Sequence, residues 1–183
     1  MTYDEKTLIQ HICNGDTKKF GLLVDRYGSS LLLFVGRIVE QQEDAEDVLQ
    51  NTFIAAYEHL KEYNPQRASI FTWLQRIAYH ETLYYLRRHK KRLFLPLEVN
   101  CDIPEELPDT IRTEQLDEAI QQLSPEEQML LHLFYFDKRS LKDISYIMGG
   151  STDTLSRDVS KLTSRLYRIR QRLKTILTLM NND

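Results

Sequence analysis

Cysteine is nearly missing. Cys13 and Cys101 stand apart in 183 residues, with no Cys-x-x-Cys and no histidine set beside either. That argues against a disulfide scaffold or a zinc site and implies two reduced thiols in a reducing compartment. Six glycines and five prolines are few for a many-turned β protein and favour helix. The longest strongly apolar run is "LLLFV", residues 31–35, far short of the roughly 20 residues of a membrane span. The opening "MTYDEKTLIQ" lacks the basic-then-apolar order of a signal peptide. A cytoplasmic protein without membrane insertion is expected. No nucleophile–base constellation, metal-ligand set or phosphate-binding glycine loop occurs, so neither an enzyme nor a cofactor is expected.

What the chain does have is charge arranged in blocks. The net charge is only −3. Yet residues 40–62 hold seven acids and one lysine, and residues 67–92 hold seven Lys/Arg and one acid, Glu81. Residues 93–127 hold ten acids and one arginine; residues 154–174 hold seven Lys/Arg and one acid, Asp158. Each block alone could be the solvated face of a helix. Two basic blocks separated by an acidic connector point instead to two polyanion-binding surfaces in one chain.

Apolar spacings of three and four predict helices almost throughout. Leu8, Ile9 and Ile12 share a face that Asn14-Gly15 closes. A second helix covers roughly 18–39. A third, 43–58, opens on acids, as a helix N-terminus favours, and turns Ala45, Val48, Leu49, Phe53 and Ala56 inward. Pro65 breaks "YNPQRAS", Ser69 can cap the next helix, and Trp73, Leu74, Ile77 and Ala78 face its core. Residues 93–112, with three prolines and many acids, read as an extended linker. A second domain then starts near Thr113. Ser124-Pro125-Glu126-Glu127 is a helix start by cap, proline and acid alike. The expected fold is all-α: two small helical domains, 1–92 and 113–183, joined by the acidic linker 93–112.

The second domain carries "LKDISYIMGGSTDTLSRDVSKL", which fits a helix-turn-helix. Ile144, Ile147 and Met148 would pack the first helix, Ser145 is small, and Gly149 allows a sharp turn. Leu155, Val159, Leu162, Leu166, Ile169, Leu173 and Ile176 form a heptad seam. That leaves Thr152, Asp153, Ser156, Arg157, Ser160, Lys161 and Arg165 near the start of the second helix. Short polar and long basic groups there suit base edges and phosphates in a major groove. A plain helical hairpin with a glycine corner gives the same pattern.

In the first domain, "LYYLRRHKKR" ends a helix with rings beside base. Phe71, Tyr79, Tyr84 and Tyr85 join Arg87, Arg88, Lys90, Lys91 and Arg92. Rings that stack on unpaired bases and cations that follow phosphates are what single-stranded nucleic acid needs. The bland alternative is that most of these rings are core.

The stretch "DAEDVLQNTFIAAYEHLKEYNPQRASIFTWLQRIAYHETLYYLRRHKKR" resembles the second region of extracytoplasmic-function sigma factors of the sigma-70 superfamily. The family pattern is an acidic D-A-E-D-x-x-Q helix, then W-L-x-x-I-A, then L-R-R with more base. Asp44, Ala45, Glu46, Asp47, Gln50, Phe53, Trp73, Leu74, Ile77, Ala78, Leu86, Arg87 and Arg88 match it. "LSPEEQMLLHLFYFDKRSLKDISYIMGGS…SRLYRIRQRL" is similar to the family's fourth region. His80 stands where the family usually has Asn, and Tyr84 where it often has Asp. About one extra heptad sits near "TLSRDVSKL", so either Arg157 and Lys161 or Arg165 and Arg168 would enter the groove. The N-terminal turns normally read, which favours the first pair.

The resemblance implies a protein that binds core RNA polymerase, on its β′ clamp, through Asp44, Glu46, Asp47 and Gln50. It implies opening of the −10 promoter element by 63–92, with Asn64, Arg67, Tyr79, His80, Tyr84, Arg87, Arg88 and Lys91 at the DNA. "YNPQRAS" would form a pocket for a flipped-out base. The helix-turn-helix would read the −35 element, and an anti-sigma factor would cover these surfaces. The alternatives are a two-domain DNA-binding regulator acting without polymerase, and a coiled-coil interaction protein built on 155–176. A helical hydrolase lacks a catalytic constellation. Metal binding by the four-residue acidic set lacks a placed histidine.

Overall fold

The computed structural model describes residues 5–89, 113–150 and 154–180. The expected linker, 93–112, and the expected cap Ser151 lie outside them. Eight α-helices run through the described residues: α1 (Glu5–Cys13), α2 (Phe20–Gly36), α3 (Gln42–His59), α4 (Ile70–His89), α5 (Thr113–Gln121), α6 (Pro125–Leu131), α7 (Leu141–Ile147) and α8 (Leu155–Met180). The chain divides into two compact units, Met1–Lys90 with Ser145–Asp153, and Lys91–Ile144 with Thr154–Asp183.

In the first unit, α2, α3 and α4 pack on one another. Of the expected inward faces, Ala45, Val48, Phe53 and Ala56 of α3 and Trp73, Leu74 and Ala78 of α4 are buried, while Leu49 and Ile77, also expected inward, are half-buried. Two buried threonines satisfy their hydroxyls within their own helices. Thr52 Oγ1 donates to the Val48 carbonyl at 2.8 Å, and Thr82 Oγ1 to that of Ala78 at 2.7 Å. Gly15 closes α1 with φ +103°, a conformation open to glycine and costly to most other residues. Glu5 ties α1 to α2: it accepts a hydrogen bond from Tyr27 and lies 3.7 Å from Arg26. The Tyr27 ring stacks on Phe71 at 5.4 Å, which draws Phe71 into the packing. Ser69 caps α4 as expected, accepting from Thr72 N at 3.1 Å.

In the second unit, Ser124 and Glu127 close a reciprocal capping box at the head of α6. Arg172 of α8 reaches the same corner, 3.3 Å from Glu127 Oε2 and 3.3 Å from the Gln122 carbonyl. α8 buries Leu162, Leu166, Ile169, Ile176 and Leu177, so the heptad seam is a core face from its third turn on. Ala119 of α5 joins Ile176 and Leu177, flanked by Leu116, Leu173 and Met180. A run expected to continue α6 instead widens into a π-helical turn, His132–Phe136. One consequence is that Tyr135 and Phe136 face outward.

Stability should separate by unit. Leu74 is fully buried, so Leu74→Ala should lower the unfolding free energy by about 2–5 kcal/mol. Ser124→Ala should cost about 1 kcal/mol through the lost cap. Urea titration checks both: fluorescence of the single tryptophan, Trp73, follows the first unit, and circular dichroism follows both.

Candidate nucleic-acid and polymerase interfaces

The acidic set on α3 does not form one patch. At 100° per residue, Asp44 and Glu46 fall on opposite flanks of the helix's outer face, with Asp47 between them. Glu46 and Gln50 border a groove of about 540 Å³ lined also by Phe20, Val24, Leu49, Phe53, Ile54, Tyr57 and Glu58. Ile54 and Tyr57 are about half exposed there, an apolar floor with a carboxylate rim. Gln42 donates to Glu46 at 2.8 Å. Asp44, half-buried, turns the other way, towards α4, where Tyr85 Oη donates to its Oδ2 at 2.6 Å. Asp47 lies exposed between the two.

α3 and α4 are therefore antiparallel at this end. The acid-rich first turn of α3 lies beside the basic last turn of α4, and each sign suits its own helix dipole. On α4, the spacing i, i+4, i+7 aligns His80, Tyr84 and Arg87 on one exposed stripe with Arg88 next to it. Tyr84 is 53% exposed, with the Arg88 guanidinium 5.5 Å from its ring centre and 3.1 Å from its hydroxyl. The ring is already matched to a cation.

Tyr79 needs correcting. It was expected at the DNA, but it is 4% exposed. Its helical neighbours Gln75, Thr82, Leu83 and Leu86 are all buried, so the ring belongs to the core face. Tyr85, left open between core and surface, is held by Asp44 and by a stack on His89 at 4.4 Å. That hydroxyl, pushed up to about 12 chiefly by its bond to Asp44, stays a donor at neutral pH.

The loop before α4 is shaped by its own side chains. Asn64 Oδ1 accepts from Gln66 N at 2.9 Å, and Tyr63 Oη donates to the Ala68 carbonyl at 3.1 Å. Tyr63 lies 5.5 Å from Trp73, ring to ring. Asn64 and Arg67 are exposed on this loop.

The first unit also contains the end of α7 and the turn that follows it, residues 145–150. Arg76 donates to the Tyr146 carbonyl, and its guanidinium lies 4.9 Å over the Tyr146 ring. Gly149 has φ +99°, and a Cβ there would lie 3.7 Å from His80 Cε1. Partial burial, then Arg76 and Arg87, hold the His80 imidazole below its usual 6.5.

On α8, Ser156, Arg157, Ser160 and Lys161 are exposed and Arg165 is half-buried. Arg157, Lys161, Arg165 and Arg168 fall within one narrow sector, a basic stripe about 16 Å long at 1.5 Å per residue. The two candidate pairs of the extra-heptad region thus lie on one continuous line. Thr154 Oγ1 donates to Asp158 at 2.6 Å in the first turn, and Lys161 lies 3.9 Å from the same carboxylate. Lys91, Thr152 and Asp153 lie outside the described residues. Among the described residues no cluster of His, Cys, Asp or Glu could hold a metal, and no helix is long and apolar enough to cross a membrane.

Residues 23–92, α2 into the end of α4, match the sequence profile of sigma-70 region 2. The chain is 30% identical over 164 residues to RNA polymerase sigma factor YlaC of Bacillus subtilis (strain 168), covering 85% of this chain and 90% of that one. It is 27% identical to the ECF RNA polymerase sigma factor SigW of the same organism, covering 92% and 94%. The chain belongs to the extracytoplasmic-function RNA polymerase sigma factors. Two solved structures share its fold. One is CnrH in complex with the cytosolic domain of CnrY, with a TM-score of 0.64, 21% identity, and coverage of 96% of this chain and 97% of that one. The other is the sigma factor RpoE with the anti-sigma factor NepR from Bartonella quintana, with a TM-score of 0.60, 19% identity, and coverage of 88% and 98%.

The lowered His80 pKa has a signed consequence. The folded imidazole binds its proton less tightly than the unfolded one, so stability falls as the pH drops through 6.5. An NMR titration of the His80 ring should show a midpoint below 6.5, moving up in Arg76→Ala.

Proposed function

We propose that this sigma factor, working in the cytoplasm, binds core RNA polymerase through α3 and directs it to two-element promoters. Glu46, Asp47 and Gln50, with the apolar groove at their side, form the docking face for the β′ clamp. Asp44 contributes from the flank. The groove's apolar floor and carboxylate rim suit a partner helix with apolar side chains among basic ones. His80, Tyr84, Arg87 and Arg88 hold the opened −10 strand, with Asn64 and Arg67 at the flipped base and Lys91 continuing the basic end. Ring and guanidinium together serve base and phosphate. The helix-turn-helix of α7 and α8 reads the −35 element through Ser156, Arg157, Ser160 and Lys161, with Thr152 and Asp153 before them and Arg165 behind. The chain makes and breaks no bond; polymerase does the chemistry. The anti-sigma factor bound by a protein of the same fold supports an anti-sigma partner here.

The observation that carries this reading is the joining of two unlike surfaces in one unit. An acidic face with an apolar groove stands on α3, and an exposed Tyr84–Arg87–Arg88 cluster ends the antiparallel α4. A regulator acting without polymerase has no use for the first.

Mixing with core enzyme should give a stable complex on gel filtration at moderate salt. Run-off transcription from a randomised promoter library should then select two sequence boxes. DNA binding without a core complex would instead identify the regulator. Arg157→Ala and Lys161→Ala should weaken distal-element binding. A base contact should cost about 1–3 kcal/mol and relax sequence preference, and a phosphate contact should lower the salt slope by about 1. Footprinting across a salt series reads both; unchanged binding in both variants would rule out that register.

A further inference from the structure

Two adjacent tyrosines at the end of α4 have opposite fates. Tyr84 faces solvent and carries Arg88 over its ring. Tyr85 is half-buried and fixed from two sides. Its hydroxyl is 2.6 Å from Asp44 Oδ2, and its ring stacks on His89 at 4.4 Å with the planes 20° apart. His89 is itself placed by the Tyr85 carbonyl, 3.0 Å from Nδ1. Tyr85 is therefore not a free stacking platform.

What it holds is a carboxylate. Asp44 sits in the first turn of α3, where a short aspartate with no partner would turn among its rotamers. A phenol donating to one carboxylate oxygen removes that freedom and leaves the second oxygen to accept from a partner. We propose that Tyr85 is a positioning residue: it orients Asp44 for polymerase docking and thereby fixes the docking helix to the strand-holding helix. This rests on the reading of α3 as the polymerase-binding face. The gain is preorganisation, an ordering cost met on folding and not on binding. The donor is dependable, because a phenol keeps its proton at neutral pH and the bond to Asp44 only raises its pKa further.

Tyr85→Phe removes the hydroxyl and keeps the ring. Titration of labelled protein with core polymerase should show affinity falling by up to about tenfold, the ordering cost of one side chain. In an Asp44→Ala background the same change should have no further effect, because Tyr85 acts through Asp44. Residues in contact are also coupled in stability, so the cycle is read in polymerase affinity and in melting temperature together, and a coupling in affinity that only mirrors the one in stability would overturn the proposal. Thermal melting of each variant separates it from misfolding, and a loss of affinity matched by a loss of folded protein would overturn the proposal. So would full additivity of the two changes. Wild-type affinity in Tyr85→Phe, with Glu46→Ala and Asp47→Ala weakened, would also overturn it and leave the docking face standing. Wild-type affinity in all the carboxylate variants would remove the docking face itself.

Discussion

The antiparallel seam between α3 and α4 decides where the acids of one helix and the bases of the other meet. Small and apolar residues bring the helices together: Ala45, Val48 and Ala56 on one side, Leu74 and Ala78 on the other. Once that seam closes, the start of α3 meets the end of α4. Helix dipoles favour acid at the first and base at the second. A core that uses no charge thus sets opposite charges side by side at one end.

The sigma-factor surfaces follow from that end. α3's acids spread round the helix, and their neighbours decide their work. The groove side offers Glu46 and Gln50 beside apolar floor, which rewards a partner by desolvation as well as charge. The other side gives Asp44 to Tyr85. On α4, the polar stripe of His80, Tyr84 and Arg87 lies opposite the buried Ala78 and Thr82, with Tyr79 and Leu83 at the edge of the core face. Helical phase separates an exposed ring, Tyr84, from a core ring, Tyr79.

That phase explains what could and could not be read from the sequence. Helices stood out because apolar spacing repeats over many residues; α3, expected over 43–58, runs Gln42–His59. Caps at Ser69 and Ser124 were legible because their hydrogen bonds are local. Tyr79 was not, since rings occur all round α4 and only packing by α2 and α3 selects the inner ones. The Tyr85–Asp44 bond spans 41 residues of sequence, and no local pattern announces such a pair. The π-helical turn at His132 was equally silent, because its apolar letters also suit an ordinary helix.

α8 is 26 residues long, yet none of its residues before Leu162 is fully buried. Leu155 and Val159 are only half-buried there, and Thr154 is tied to Asp158. Core packing therefore contributes less to the opening turns than to the rest of the helix, and their order leans on local hydrogen bonds. A helix with that gradient frays first at its start while its far end keeps its direction.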